Sequence, residues 1–145
     1  MPTLLIIEDD HHILLMIKRM LEPLGYEIKL ASDGNEGLEM FHKFEVDLVI
    51  TDIIMPEKEG LEIIREMRRE RPNLQIIAMS GGGKISADNY LETAKIFGAA
   101  KILEKPFSRT QMVSAVQHLL GESKTGSNQK GKPGAGNDLE KEQGR

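Results

Sequence analysis

Val46-Asp47-Leu48-Val49-Ile50-Thr51-Asp52-Ile53-Ile54-Met55-Pro56 reads as an apolar strand that runs into one carboxylate and then into a proline-closed loop. Leu48, Val49 and Ile50 form a short continuous apolar run, the pattern of a central strand covered on both faces. The carboxyl end of such a strand lies at the open edge of a parallel α/β sheet, where the loops diverge and ligands bind. Asp52 stands at that end.

Leu4 to Ile7 is a second short apolar run, and it ends in Glu8-Asp9-Asp10. Two buried-type strands therefore terminate in acid. Ile13, Ile17, Met20 and Leu24 repeat at helical spacing, with Asp10 placed to cap the start and Gly25 to end the turn. Tyr26 to Ala31 predicts a strand. Ser32-Asp33-Gly34 turns the chain into a helix whose apolar face is Leu38, Phe41 and Phe44. After the Asp52 loop, Leu61, Ile64 and Met67 mark a third helix that stops at Pro72, with Arg65, Arg68, Arg69 and Arg71 on a solvated far side. Gln75 to Met79 predicts a fourth strand leading to Ser80 and a loop of Gly81-Gly82-Gly83-Lys84. A helix from Ser86 carrying Leu91, Ala94 and Phe97 follows, then a fifth strand from Ile102 to Glu104 that ends at Lys105-Pro106. Ser108-Arg109-Thr110-Gln111 has the form of a capping box, and Met112, Val116, Leu119 and Leu120 make the last apolar face, closed by Gly121.

The chain has 145 residues, enough for one domain with a core of its own, and no cysteine, which excludes disulfides, thiolate metal sites and cysteine nucleophiles. Its net charge of −4, with both signs interspersed, offers no footprint for nucleic acid, so no direct DNA-binding role is expected. The longest apolar run, Ile13 to Ile17, is far too short to insert in a membrane, and the N-terminus lacks signal-peptide features. A soluble, cytoplasmic protein is the expectation. Residues 1–121 form the domain. Residues 122–145 are rich in Gly, Ser, Lys, Asn and Gln, with Ala135 and Leu139 as apolar side chains, and predict a disordered polar tail.

Five strands alternating with five helices predict an α/β, doubly wound parallel sheet with right-handed crossovers, which brings every strand's carboxyl end to one edge. Glu8, Asp9, Asp10, Asp52, Ser80 and Lys105 then become neighbours. Carboxylates so crowded call for a cation, and an all-oxygen donor set without His or Cys at ligand spacing suits Mg2+ better than zinc. Lys105 and the Ser80 hydroxyl suit an anionic ligand such as a phosphoryl group, with Asp52 as nucleophile. The residues point to phosphoryl transfer onto aspartate.

Glu8-Asp9 behind Leu5-Ile6-Ile7, Asp52 with Met55-Pro56 and Gly60, Ser80-Gly81, and Lys105-Pro106-Phe107, in that order, resemble a two-component response-regulator receiver domain of the stand-alone type. The resemblance covers residues 3–120. It implies a flavodoxin-like sheet with strand order 2-1-3-4-5. It implies too that Asp52 accepts phosphate from a sensor histidine kinase, a histidine phosphotransfer protein or a small phosphodonor. Asp9 and Asp52 would ligate Mg2+, Glu8 would act through a water, and the backbone carbonyl of Ile54 would complete the metal site. Ser80 and Lys105 would hold the phosphoryl oxygens. The implied protein is a signalling receiver that catalyses only its own phosphorylation and dephosphorylation, and an unidentified downstream protein reads it. The sequence departs from the family at Ile102, where an aromatic residue usually serves with Ser80 as the switch.

Two other signals read as ordinary structure, and two rival functions stand beside the main one. His11-His12 are adjacent and do not face one metal site. The Gly81–Lys84 run lacks the nucleotide-loop pattern, with Ala78 and Ile85 where Gly and Ser or Thr belong. The rival functions are a degenerate receiver acting as a phosphorylation-independent binding module, and an aspartyl-phosphate hydrolase, which would need a second Asp where Ile54 stands.

Overall fold

The computed structural model describes residues 1–53, 60–81 and 98–121. The order is β1 (Thr3–Ile7), α1 (His11–Leu21), a 3-10 turn (Glu22–Leu24), β2 (Glu27–Ala31), α2 (Gly34–Lys43), β3 (Leu48–Asp52), α3 (Gly60–Glu70), β4 (Gln75–Gly81), β5 (Lys101–Lys105) and α4 (Arg109–Leu119). All five strands are parallel and stand in the order β2-β1-β3-β4-β5, the α/β architecture expected. Four α-helices lie among the described residues; the helix expected from Ser86 and the tail 122–145 fall outside them.

Side chains that alternate along each strand supply two cores. On one face Leu5, Ile7, Val49, Ile76 and Ala78 pack with Leu38 and Phe41 of α2 and Ile63, Ile64 and Met67 of α3. On the other, Leu4, Ile6, Leu48, Ile50, Ile77 and Met79 pack with Leu14, Ile17 and Leu21 of α1 and Met112, Ala115 and Val116 of α4. Covered on both faces, β3 is buried at all five positions, as its continuous apolar run requires. At Gly37 of α2 an added Cβ would lie 2.5 Å from Ile7 Cδ1, so a larger residue there would displace the Ile7 side chain.

The helix starts follow local chemistry. Asp10 accepts the backbone N–H groups of His12 and Ile13, Asp33 accepts that of Glu36, and Ser108 and Gln111 form the reciprocal capping box. Gly25 and Gly121, at φ +92° and +75°, take the left-handed conformation where α1's 3-10 extension and α4 end. The outer strands are guarded by charge. On β2, Lys29 bridges to Glu27 at 3.0 Å and sets its ammonium 3.9 Å from the centre of the Phe44 ring. Lys101 and Glu104 are exposed on β5.

Several local readings need correction. The buried face of α1 is Leu14, Ile17 and Leu21; Ile13 and Met20 are half-buried and Leu24 is exposed. Residues 13–17 are apolar all round the helix, so spacing alone could not choose the face, and the helix ends at Leu21, which takes Leu24 off its axis. Strand β4 runs on through Ser80 to Gly81, because Ser80 and Gly81 pair in register with Glu104 and Lys105. Gly81 is thus a strand residue, and the expected loop 82–84 lies outside the described residues. Of the four arginines, Arg65 and Arg69 are exposed as expected. Arg68, by contrast, donates to the Leu74 carbonyl at 2.7 Å, and Arg71 stacks 5.6 Å from the Phe41 ring. The helix ends at Glu70, before Pro72; Ile64 and Met67 are buried with Ile63, while the Leu61 side chain is outside the described part.

Candidate phosphoacceptor site

The parallel register sets Ile7 level with Thr51, Asp52 level with Met79, and Gly81 level with Lys105. Each strand contributes its next polar residue at the same edge. Glu8, Asp9 and Asp52 bring carboxylate oxygens within 4.8 Å of one another. Glu8 and Asp52 are buried, whereas Asp9 is exposed at the mouth.

Lys105 arrives from the end of β5, just before the cis peptide to Pro106. Its Nζ lies 2.8 Å from Glu8 Oε1 and 3.3 Å from Asp52 Oδ2. The other Glu8 oxygen accepts the Asp10 N–H at 3.0 Å. Both Glu8 oxygens are therefore engaged. Burial pushes the Glu8 carboxyl above its usual value, and the Asp52 charge adds to the push against the opposing hydrogen bonds from Lys105 and Asp10. Burial pulls Lys105 down most strongly of its single influences. The hydrogen bond to Glu8 and the charges of Asp52 and Glu8 outweigh it and hold the ammonium above the usual lysine value. Among the described residues, one cation thus stands with three carboxylates.

Ser80 is fully buried beside them, and its Oγ finds no hydrogen-bond partner among the described residues. A buried hydroxyl left so costs on the order of 1–3 kcal/mol. Three clustered carboxylates fit a hard dication, and the orphaned hydroxyl with Lys105 fits the oxygens of a bound phosphoryl group. Ile102 is half-buried, level with Ala78 in the sheet, and packs against the α2–α3 core. The Ile54 carbonyl and the Met55-Pro56 turn lie outside the described residues.

The structure brings together Glu8, Asp9, Asp52 and Lys105, and sets Ser80 one residue past the Asp52–Met79 pair. Asp10 serves as the α1 cap, and His11 and His12 are exposed first-turn residues. Sequence reasoning missed Thr51, whose buried hydroxyl donates to the Asp52 carbonyl at 3.1 Å. The apolar-to-polar change at Thr51 was the available signal. It missed also that Lys105 binds Glu8 more closely than Asp52, a preference no spacing encodes.

Comparison with known proteins agrees with this fold. Residues 4–117 match the family model described as response regulator receiver domain. The transcriptional regulator NtrC of Azospirillum brasilense is 34% identical over 121 residues, covering 81% of this chain and 24% of that protein. The response regulator MprA of Mycobacterium leprae is 31% identical, covering 83% of this chain and 52% of that protein. The chain thus spans about half or less of the length of these curated relatives. Among solved structures, a receiver domain protein from Clostridium thermocellum is 33% identical with a TM-score of 0.75, covering 83% of this chain and 95% of that one.

Proposed function

Because the chain belongs to the response-regulator receiver family, we propose that it is a phosphoacceptor signalling protein of a two-component or phosphorelay system, charged at Asp52. The observation that carries the proposal is the Lys105 ammonium 3.3 Å from Asp52, at the sheet edge where the buried Ser80 hydroxyl has no partner among the described residues. The donor is a sensor histidine kinase or a histidine phosphotransfer protein. An Asp52 oxygen forms the O–P bond as the P–N bond to the donor imidazole breaks, and the imidazole leaves with the electron pair. Lys105 and Ser80 bind the equatorial oxygens on which charge accumulates. Asp9 and Asp52 would hold Mg2+, and the Ile54 carbonyl that the family resemblance adds to its ligands lies outside the described residues. Glu8, with both oxygens engaged, acts at most through a water. When bound, the ion neutralises carboxylate and phosphoryl charge.

The chain acts as a signalling receiver in the cytoplasm rather than as an enzyme on other substrates; no helix among the described residues is long and apolar enough to cross a membrane. Output passes through protein contacts with a downstream partner. Ser80 moves toward the phosphoryl group. Ile102, short and β-branched, keeps its rotamer.

Intact mass tests the proposal. With Mg2+ and a small phosphodonor the chain gains one phosphoryl group, and Asp52→Asn removes the gain. Labelling that persists in Asp52→Asn overturns it, and absence of labelling in the native chain returns the reading to a phosphorylation-independent binding module.

A further inference from the structure

Strand β3 carries a hydroxyl into an apolar cluster. Thr51 lies between Val49 and Ile53 on the α2–α3 face of the sheet, and it stands level with Ile7 of β1 and Ala78 of β4. All four of those neighbours belong to the α2–α3 core, and Thr51 itself is fully buried. Valine has the same shape and the same β-branching, so neither packing nor strand preference calls for a hydroxyl at this position. Burying one costs free energy unless it is hydrogen-bonded. What distinguishes threonine from valine here is the bond that its hydroxyl makes.

That bond is to the main chain of the nucleophile: Thr51 Oγ1 donates to the Asp52 carbonyl at 3.1 Å. The N–H of the same peptide unit, on Ile53, donates to the Met79 carbonyl at 2.9 Å. The peptide that follows Asp52 is thus held at both of its polar groups. The hold falls where the ladder narrows, since β3 pairs with β1 as far as Thr51 and Ile7, whereas its pairing with β4 runs one residue further, to Asp52 and Met79. With the plane of that peptide fixed, the Asp52 Cα–Cβ bond keeps one direction, which brings Oδ2 to 3.3 Å from Lys105 Nζ.

We propose that Thr51 is a positioning residue for phosphoryl transfer at Asp52: its hydroxyl pins the peptide after the nucleophile and so sets the direction in which the carboxylate is presented. The inference rests on the phosphoacceptor reading of Asp52 and adds a part to it. Thr51 lies behind Asp52 on the apolar face and acts only through that residue. Its effect is on the alignment of the attacking oxygen with the bond that breaks at phosphorus, an alignment on which rate depends steeply.

The test compares Thr51→Val, which removes the hydroxyl and keeps the shape, with Thr51→Ser, which keeps the hydroxyl, in the full chain with Mg2+ and a small acyl phosphate as donor. In the labelling step an Asp52 oxygen forms the new O–P bond, and the donor's carboxylate leaves with the electron pair of the broken P–O bond. Thr51→Val lowers the maximal labelling rate about tenfold and leaves the donor concentration at half-maximal rate unchanged. It unfolds in urea no earlier than the native chain, because the apolar cluster accepts the methyl group. Its Ile53 amide exchanges with solvent faster while that of Val49 does not, and Thr51→Ser recovers most of the rate. A native rate per folded molecule in Thr51→Val, with or without a loss of stability, makes the hydroxyl a matter of the fold alone and overturns the proposal. So does a loss of rate that Thr51→Ser shares in full. A native chain that takes no label sinks the phosphoacceptor reading itself, and this proposal with it.

Discussion

Strand β3 divides at Ile50. Leu48 to Ile50 are buried among aliphatic side chains of α1, α2, α3 and α4, whereas Thr51 and Asp52, equally buried, lie among hydroxyls, carboxylates and an ammonium. The same backbone thus passes from a half that stabilises the fold to a half that opposes it. In the lower half each side chain gains by leaving water. In the upper half, Glu8 and Asp52 are charges held out of water with one lysine between them, and Ser80 lacks a partner among the described residues. Stability and chemistry occupy separate stretches of one element, and the second draws on the first.

Substitution on either side of Ile50 measures that division. The largest effect belongs to the apolar half: Ile50→Ala should lower unfolding free energy by about 3 kcal/mol, read from urea denaturation, while the folded protein still accepts a phosphoryl group at Asp52. A loss under about 1 kcal/mol would mean the lower half is less tightly packed than its burial implies.

A smaller effect of opposite sign belongs to the polar half. Asp52→Asn removes one attraction, to Lys105, and two repulsions, from Glu8 and Asp9, and should raise stability by about 1 kcal/mol without Mg2+. Destabilisation by this variant would erase the distinction between the halves.

Smallest is a dependence on pH that only the polar half can supply. The Glu8 carboxyl is raised above its ordinary value of 4.5, so its contribution is fully present below 4.5 and is lost as pH rises through the raised value. Lys105 is likewise raised above 10.5. Its contribution is present below 10.5 and is lost as pH climbs through the folded-state value. Both groups make the site end less stable with rising pH. Lys105→Gln should flatten the alkaline part of a stability–pH curve, whereas Ile50→Ala should shift the whole curve and keep its shape.

Much of this was legible in the sequence because it follows from local pattern. The run Leu48–Ile50 announced a doubly covered strand, and the acid-ended strands placed Glu8, Asp9 and Asp52 on one edge. Ser108 and Gln111 spelled out their capping box. What stayed hidden depended on tertiary contact. The five apolar residues from Ile13 to Ile17 cannot say which of them faces the sheet until α4 packs against α1. Ser80 reads as a loop residue until β5 pairs with β4 beyond Met79. The preference of Lys105 for Glu8, and the meeting of His42 with Glu70 across 28 positions, are fixed by helix and strand placement alone.

The charged outer strands bear on how these molecules behave in company. An open sheet of five strands ends in two backbones, β2 and β5, paired on one side only among the described residues. Such an edge can recruit a strand from a neighbouring molecule, and flat apolar edges seed aggregates that way. Lys29, moored to Glu27 and stacked on Phe44, and Lys101 and Glu104 at the opposite margin would each have to be stripped of solvent before a foreign strand could align. The guard is inexpensive in core packing, since Ile28 and Leu30 still reach the α1 side from β2. A concentrated population of this protein is thereby biased toward separate molecules rather than edge-to-edge strand pairing.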